Sequence, residues 1–151
     1  MKTILVPVDF SDVTLKVVKA AVHLAKPFQS KIILMHATEV TPQLLGLGTG
    51  PDAIPVPATQ ETASVDYVES FGRLQEMIST IGLESTIVQV QGPPVDLILA
   101  QAENSRVDLV VLGSHSRGPL SHLFLGSVAD GVMRRAKCPV LIVPLSDSTS
   151  R

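Results

Sequence analysis

The sequence predicts an open α/β sheet of five parallel strands with helices on both faces, and three observations carry that prediction. Short apolar or β-branched runs recur at Thr3 to Val8, Lys31 to Thr38, Ser85 to Val90, Val107 to Leu112 and Cys138 to Pro144. Segments with helical apolar spacing alternate with them, and a strand-helix-strand unit forces a parallel pair with a right-handed crossover. Most of the runs are apolar throughout, the pattern of strands covered on both sides. A strand order of 3-2-1-4-5 puts the reversal between strands one and four, where a crevice opens at the carboxyl edge of the sheet.

Taken in order, Thr3 to Val8 is a buried strand bounded by Pro7 and Asp9. Ser11 is an N-cap residue type for the next segment, in which Leu15, Val18, Val22 and Ala25 recur at helical spacing until Pro27 stops it. Lys31 to Thr38 is the second strand. Periodicity then vanishes: residues 39–60 hold Gly46, Gly48, Gly50 and four prolines and read as a long flexible surface loop, lid or plain excursion. Its GLGTG is no dinucleotide fingerprint, because the GxGxxG spacing fails at Pro51.

Tyr67, Phe71, Leu74, Ile78 and Ile81 form the stripe of a second helix stopped by Gly82. Ser85 to Val90 alternates and is a less buried strand. Gly92, Pro93 and Pro94 make a turn into a third helix carrying Val95, Ile98, Leu99 and Ala102. The fourth strand, broken only by Asp108, is expected to end at Gly113. After a polar loop, Gly126 and Ser127 open the last helix, with Val128, Val132 and Ala136 on its apolar side and Arg134, Arg135 and Lys137 at its end. The fifth strand is framed by Pro139 and Pro144.

At 151 residues, 45% of them apolar, residues 1–151 fit a single domain with a real core. The formal charge of −2 and the absence of a basic cluster interleaved with aromatics argue against nucleic acid as a partner. The lone Cys138 excludes an internal disulfide or a CxxC pair, makes a reducing compartment the default, and reads as a small packed apolar residue. No apolar stretch approaches the length of a membrane span, and the N-terminal run is cut short by Asp9, so it reads as a strand. A soluble cytoplasmic protein without a membrane partner is expected.

The chemistry points to anion binding. Strand, Gly-containing loop and helix start follow one another from Val107 to Ser127, which in a parallel sheet brings backbone N–H groups and a positive dipole end to the carboxyl edge. Pro7-Val8-Asp9 and Leu112-Gly113 wall the expected crevice. Neither a Ser-His-Asp set nor a carboxylate pair is evident, so no catalytic residue is assigned. His36, His115 and His122 lack ligand spacing, so no metal is expected. His115 is a phosphate donor or an ordinary loop residue, Arg117 is the cation of the loop, and His23 is expected to be structural.

The segments ILVPVDFSD, LMHA, GPP ahead of Ile98, DLVVLGSHSRG and LGSVADGVMRRAKCPVLIVP give the chain a close family likeness: over nearly its whole length it resembles the universal stress protein family. Nucleotide-binding members carry Gly-x2-Gly-x9-Gly-Ser/Thr. Here Gly113-Ser114-His115-Ser116 is followed by nine residues and then Gly126-Ser127, so Ser116 replaces the second glycine. The resemblance implies a Rossmann-like sheet that binds ATP or AMP, with or without Mg2+. Asp9 would accept from the ribose hydroxyls, or else simply end its strand and cap the neighbouring turn. Ala37 would lend its backbone to adenine, Pro7 and Val8 apolar contact, and Leu112 and Gly113 the ribose side. Gly126, Ser127 and Val128, opening the helix, would hold phosphate, with Arg117 within reach. Ser116 either obstructs, at a cost of about 1–2 kcal/mol if its φ is positive, or donates its hydroxyl.

Two functions follow from the likeness. One is a stress-response signalling module that binds nucleotide and hydrolyses it slowly at most, with an unknown protein partner. The other is a dimeric scaffold that binds none. An adenylating enzyme is a weaker third, because PVDFSD stands where such enzymes carry an SGGxDS-like loop. The apolar fifth strand, Val140 to Val143, is expected to pair across a homodimer.

Overall fold

A computed structural model describes residues 1–38, 63–114 and 126–144. The expected 39–60 loop, Ser116 and Arg117, and the histidines at 115 and 122 lie outside the described residues. The elements are β1 (Thr3–Pro7), α1 (Thr14–Ala25) with a 3-10 turn (Lys26–Phe28), β2 (Lys31–Thr38) and α2 (Ala63–Thr80). They continue as β3 (Ser85–Gln91), α3 (Pro94–Asn104), β4 (Leu109–Ser114), α4 (Ser127–Arg135) and β5 (Val140–Pro144). All neighbouring strands are parallel, in the order β3-β2-β1-β4-β5, as the sequence predicts.

Alternation along each strand divides the interior into two layers. Ile4 and Val6 of β1 and Val8 just after it, with Ile32, Leu34 and Val111, meet Val17, Val18 and Ala21 of α1 and Phe71, Leu74 and Ile78 of α2. Leu5, Ile33, Met35, Val110 and Leu112 face the other way, against Ile98 and Ala102 of α3 and Val132 of α4. Helices therefore cover both faces, and the central strand has no exposed side: Ile4, Leu5 and Val6 are fully buried. Truncating any of the larger ones to alanine removes about 2–5 kcal/mol.

Four local expectations need correction. The first helix starts at Thr14 and not after Ser11; Phe10 takes a left-handed φ of 58° and the Thr14 N–H donates to the Ser11 carbonyl at 3.0 Å. Its buried stripe is Thr14, Val17, Val18, Ala21 and Ala25, while Leu15, one residue out of phase, is 47% exposed. His23 is exposed as well, so it is no part of the core. The fourth strand runs through Gly113 to Ser114, which pair with Val143 and Pro144 of β5. Asp108 lies just ahead of that strand and ties it to the N-terminus. Its Oδ2 accepts from the backbone N–H of Lys2 at 2.7 Å and of Thr3 at 2.9 Å.

Candidate functional site

Parallel strands end at one edge, and α4, which returns the chain from β4 to β5, must begin at that edge. The register shows where the edge opens. The β1–β2 ladder runs from Thr3↔Lys31 to Pro7↔Met35, and β4–β5 pairs through Ser114↔Pro144. The β1–β4 ladder, however, consists of Ile4↔Leu109 and Leu5↔Val110. Beyond Leu5 the two central strands are no longer paired with each other, and this is the switch point at which helices leave to opposite faces.

On the β1 lip, Pro7 is half-buried, Val8 is buried, and the Val8 N–H donates to the Met35 carbonyl at 2.7 Å. Asp9 is exposed, and its Oδ1 accepts from the Ser11 N–H at 3.1 Å and from the Thr14 hydroxyl at 3.3 Å. These bonds realise the turn-capping role and hold the carboxylate at the strand end. An acceptor-only group so placed suits hydroxyl donors and repels anions.

On the β2 lip the dominant group is His36, which sequence spacing marks only as a strand end. The residue is 7% exposed, and its ring lies 5.0 Å from Phe10, 4.6 Å from Tyr67 and 6.5 Å from Phe71, centroid to centroid. Phe10 itself stacks on Tyr67 and meets Phe71 edge-on, so the strained turn after β1 serves to bury that ring. Nδ1 of His36 stands 2.7 Å from the Val8 carbonyl. A carbonyl only accepts, so Nδ1 carries the proton and Nε2 is the acceptor. That buried Nε2 has no hydrogen-bond partner among the described residues. Phe10 was the missed member of this group; an aromatic residue between Asp9 and Ser11 in an otherwise polar turn was its signal.

On the β4 lip, Leu112 is buried on the face that α3 and α4 cover. Gly113 looks the other way: a Cβ there would sit 2.6 Å from Val13 Cγ1 and 3.1 Å from Val17 Cγ2. Its lack of a side chain is what lets α1 close on β4, so any contact it makes in the crevice is through backbone.

Gly126 precedes α4 with φ 82° and ψ 146°, a conformation that glycine adopts readily. Gly126 and Ser127 are exposed, and Val128 is half-buried beside the α3–α4 layer. The acid in this first turn, Asp130, is bonded by Arg134 Nε at 2.8 Å, which offsets its charge at the anion-attracting end. Among the described residues no group of three His, Cys, Asp or Glu could hold a metal ion, and no helix is long and apolar enough to cross a membrane. Burial pushes the half-buried Cys138 thiol up, away from thiolate reactivity.

Comparison with known proteins agrees with this architecture. The family model described as "Universal stress protein family" matches residues 1–144. Universal stress protein MJ0531 of Methanocaldococcus jannaschii is 31% identical over 142 residues, covering 94% of this chain and 81% of the relative. Universal stress protein YxiE of Bacillus subtilis is 31% identical over 143 residues, 92% of this chain and 96% of the relative. Among solved structures, a universal stress protein in complex with cAMP is 26% identical, with a TM-score of 0.69 and coverage of 96% of this chain and 98% of that one.

Proposed function

This chain belongs to the universal stress protein family, and from that premise we propose that it binds an adenine nucleotide, ATP or AMP, at the switch point of the sheet. The observation that carries the reading is the early end of the β1–β4 ladder at Leu5↔Val110, with Asp9 just past the end of β1 and the α4 amides at the same edge. A ribose acceptor and an anion-binding helix start then serve one ligand. The solved relative that carries cAMP supports the same ligand class. In this reading Asp9 meets the ribose, Pro7 and Val8 the base, Ala37 its polar edge, and Leu112 and Gly113 the sugar. Gly126, Ser127 and Val128 take the phosphates together with Ser116 and Arg117.

Occupancy would act as a signal in a cytoplasmic stress response, with hydrolysis slow at most. Titration calorimetry with ATP, with and without Mg2+, tests the reading: a micromolar Kd is expected, and no binding at millimolar ATP removes it.

Residues 1–151 then act as a unit and pair as a homodimer through β5. That strand lies at the sheet edge with Leu141 37% exposed, and an apolar edge of this kind needs a cover. Should nucleotide binding fail, the paired edge leaves the scaffold reading in place.

A further inference from the structure

Backbone polarity along β2 alternates between its two neighbours. The Lys31 N–H donates to the Lys2 carbonyl at 2.8 Å, and the Met35 carbonyl accepts from Val8, so odd residues face β1. The Ile32 N–H donates to the Glu84 carbonyl at 2.9 Å, and the Thr38 carbonyl accepts from Gly92 at 3.0 Å, so even residues face β3. Ala37 is odd. It turns its N–H and C=O toward β1, just past Pro7↔Met35, the last pair of that ladder. A regular parallel ladder would next send the Ala37 N–H to the Val8 carbonyl. That carbonyl instead meets Nδ1 of His36 at 2.7 Å.

We propose that His36 is a positioning residue for the base: by taking the Val8 carbonyl itself, it keeps the Ala37 N–H and C=O directed at the crevice as a donor and acceptor pair. The inference rests on the nucleotide reading above. Adenine offers an exocyclic N–H donor beside a ring-nitrogen acceptor, which complements a backbone C=O and N–H. Guanine offers the reverse order on the same edge and would leave both groups unpaired, the situation in which a polar site discriminates most. The ring is well held for this role, because Phe10, Tyr67 and Phe71 surround it and its tautomer is set by the carbonyl it binds.

His36→Phe keeps a ring among the aromatics, removes the orphaned Nε2 and leaves the Val8 carbonyl to the Ala37 N–H, closing the ladder by one step. His36→Asn can still reach Val8, with its amide N–H in place of Nδ1, but loses the ring. Stability should therefore fall more in His36→Asn, and ATP binding more in His36→Phe. A merely structural histidine would give the same order for both.

The experiment measures ATP and GTP binding by calorimetry, thermal melting, and hydrogen exchange of the Ala37 amide without nucleotide, in all three proteins. Expected are roughly tenfold weaker ATP binding by His36→Phe with GTP unchanged, ATP binding by His36→Asn within about threefold of wild type, and slower Ala37 exchange in His36→Phe. Equal loss of ATP and GTP, ATP binding undiminished in His36→Phe, or unaltered Ala37 exchange would overturn the proposal. If no protein, wild type included, binds ATP, the nucleotide reading fails and the base-positioning role goes with it. The exchange data then still report whether His36 holds the ladder open.

Discussion

Replacing Gly113 with alanine is the sharpest test of how β4 meets α1. The new Cβ would lie 2.6 Å from Val13 Cγ1, 3.1 Å from Val17 Cγ2 and 3.2 Å from Val13 Cγ2. Carbon atoms settle at about 3.5–4.0 Å, so the closest pair is short by roughly 1 Å. Val13 and Val17 are each 2% exposed, and a β-branched side chain has little rotamer freedom with which to yield. The helix must move instead, which costs about 1–3 kcal/mol. For a chain of this length that lowers Tm by about 2–12 °C. Denaturant unfolding of Gly113→Ala, Val13→Ala and the double variant closes a cycle. The pair should be less destabilised than the sum of the singles by about 1 kcal/mol or more, because alanine at 13 removes two of the three close methyls, the closest among them. ATP binding lost in Gly113→Ala should return in the double variant. A Gly113→Ala protein as stable as wild type, or additive energies, would refute the packing account of this glycine.

Gly131 makes the corresponding approach between α4 and α3, with a Cβ there 2.9 Å from Val95 Cγ2. Alanine in a helix gains about 0.5–1 kcal/mol over glycine, which offsets the contact. Gly131→Ala should thus unfold within about 1 kcal/mol of wild type, and Gly131→Leu roughly 2–3 kcal/mol lower, as urea titration would show. The Asp108 carboxyl is held below its usual value first by the Thr3 backbone bond and then by that of Lys2. A depressed folded pKa contributes stability above the unfolded value of about 3.9, lost as pH falls through the folded value. Wild type should therefore lose stability more steeply than Asp108→Asn across that acid window, and the variant should have the lower urea midpoint at pH 7. Leu141→Lys should convert a dimer to a monomer in sedimentation analysis while leaving ATP binding intact; an unchanged mass would argue against pairing through β5.

The strands were legible because burial on two faces leaves an unbroken apolar run; Lys31–Thr38 matches its expected limits residue for residue. Edge strands were nearly as clear. The start of α1 was misplaced because a capping residue type at Ser11 outweighed the turn that Asp9 actually orients, and no local pattern announces a left-handed Phe10. Gly113 looked like a strand terminator, since sequence cannot show that a helix presses on it. Roles for Asp9, Ala37, Gly126 and Ser127 were proposed from the family resemblance, and the fold brings their elements to one edge. His36 was visible as a polar residue closing an apolar strand, but its partner is the carbonyl of a residue 28 positions earlier, a relation that only register reveals.

The bonds from Lys2 and Thr3 to Asp108 span more than a hundred residues, and this has a bearing on biosynthesis. As the chain leaves the ribosome, β1 can pair with β2 at once, but its other edge stays bare until β4, which begins at Leu109, has been made. Non-local contacts of this kind form slowly, and an open strand edge invites pairing with the wrong neighbour. Weakening the Asp108 clip should therefore lower the yield of correctly folded nascent chain more than it lowers the stability of the finished protein.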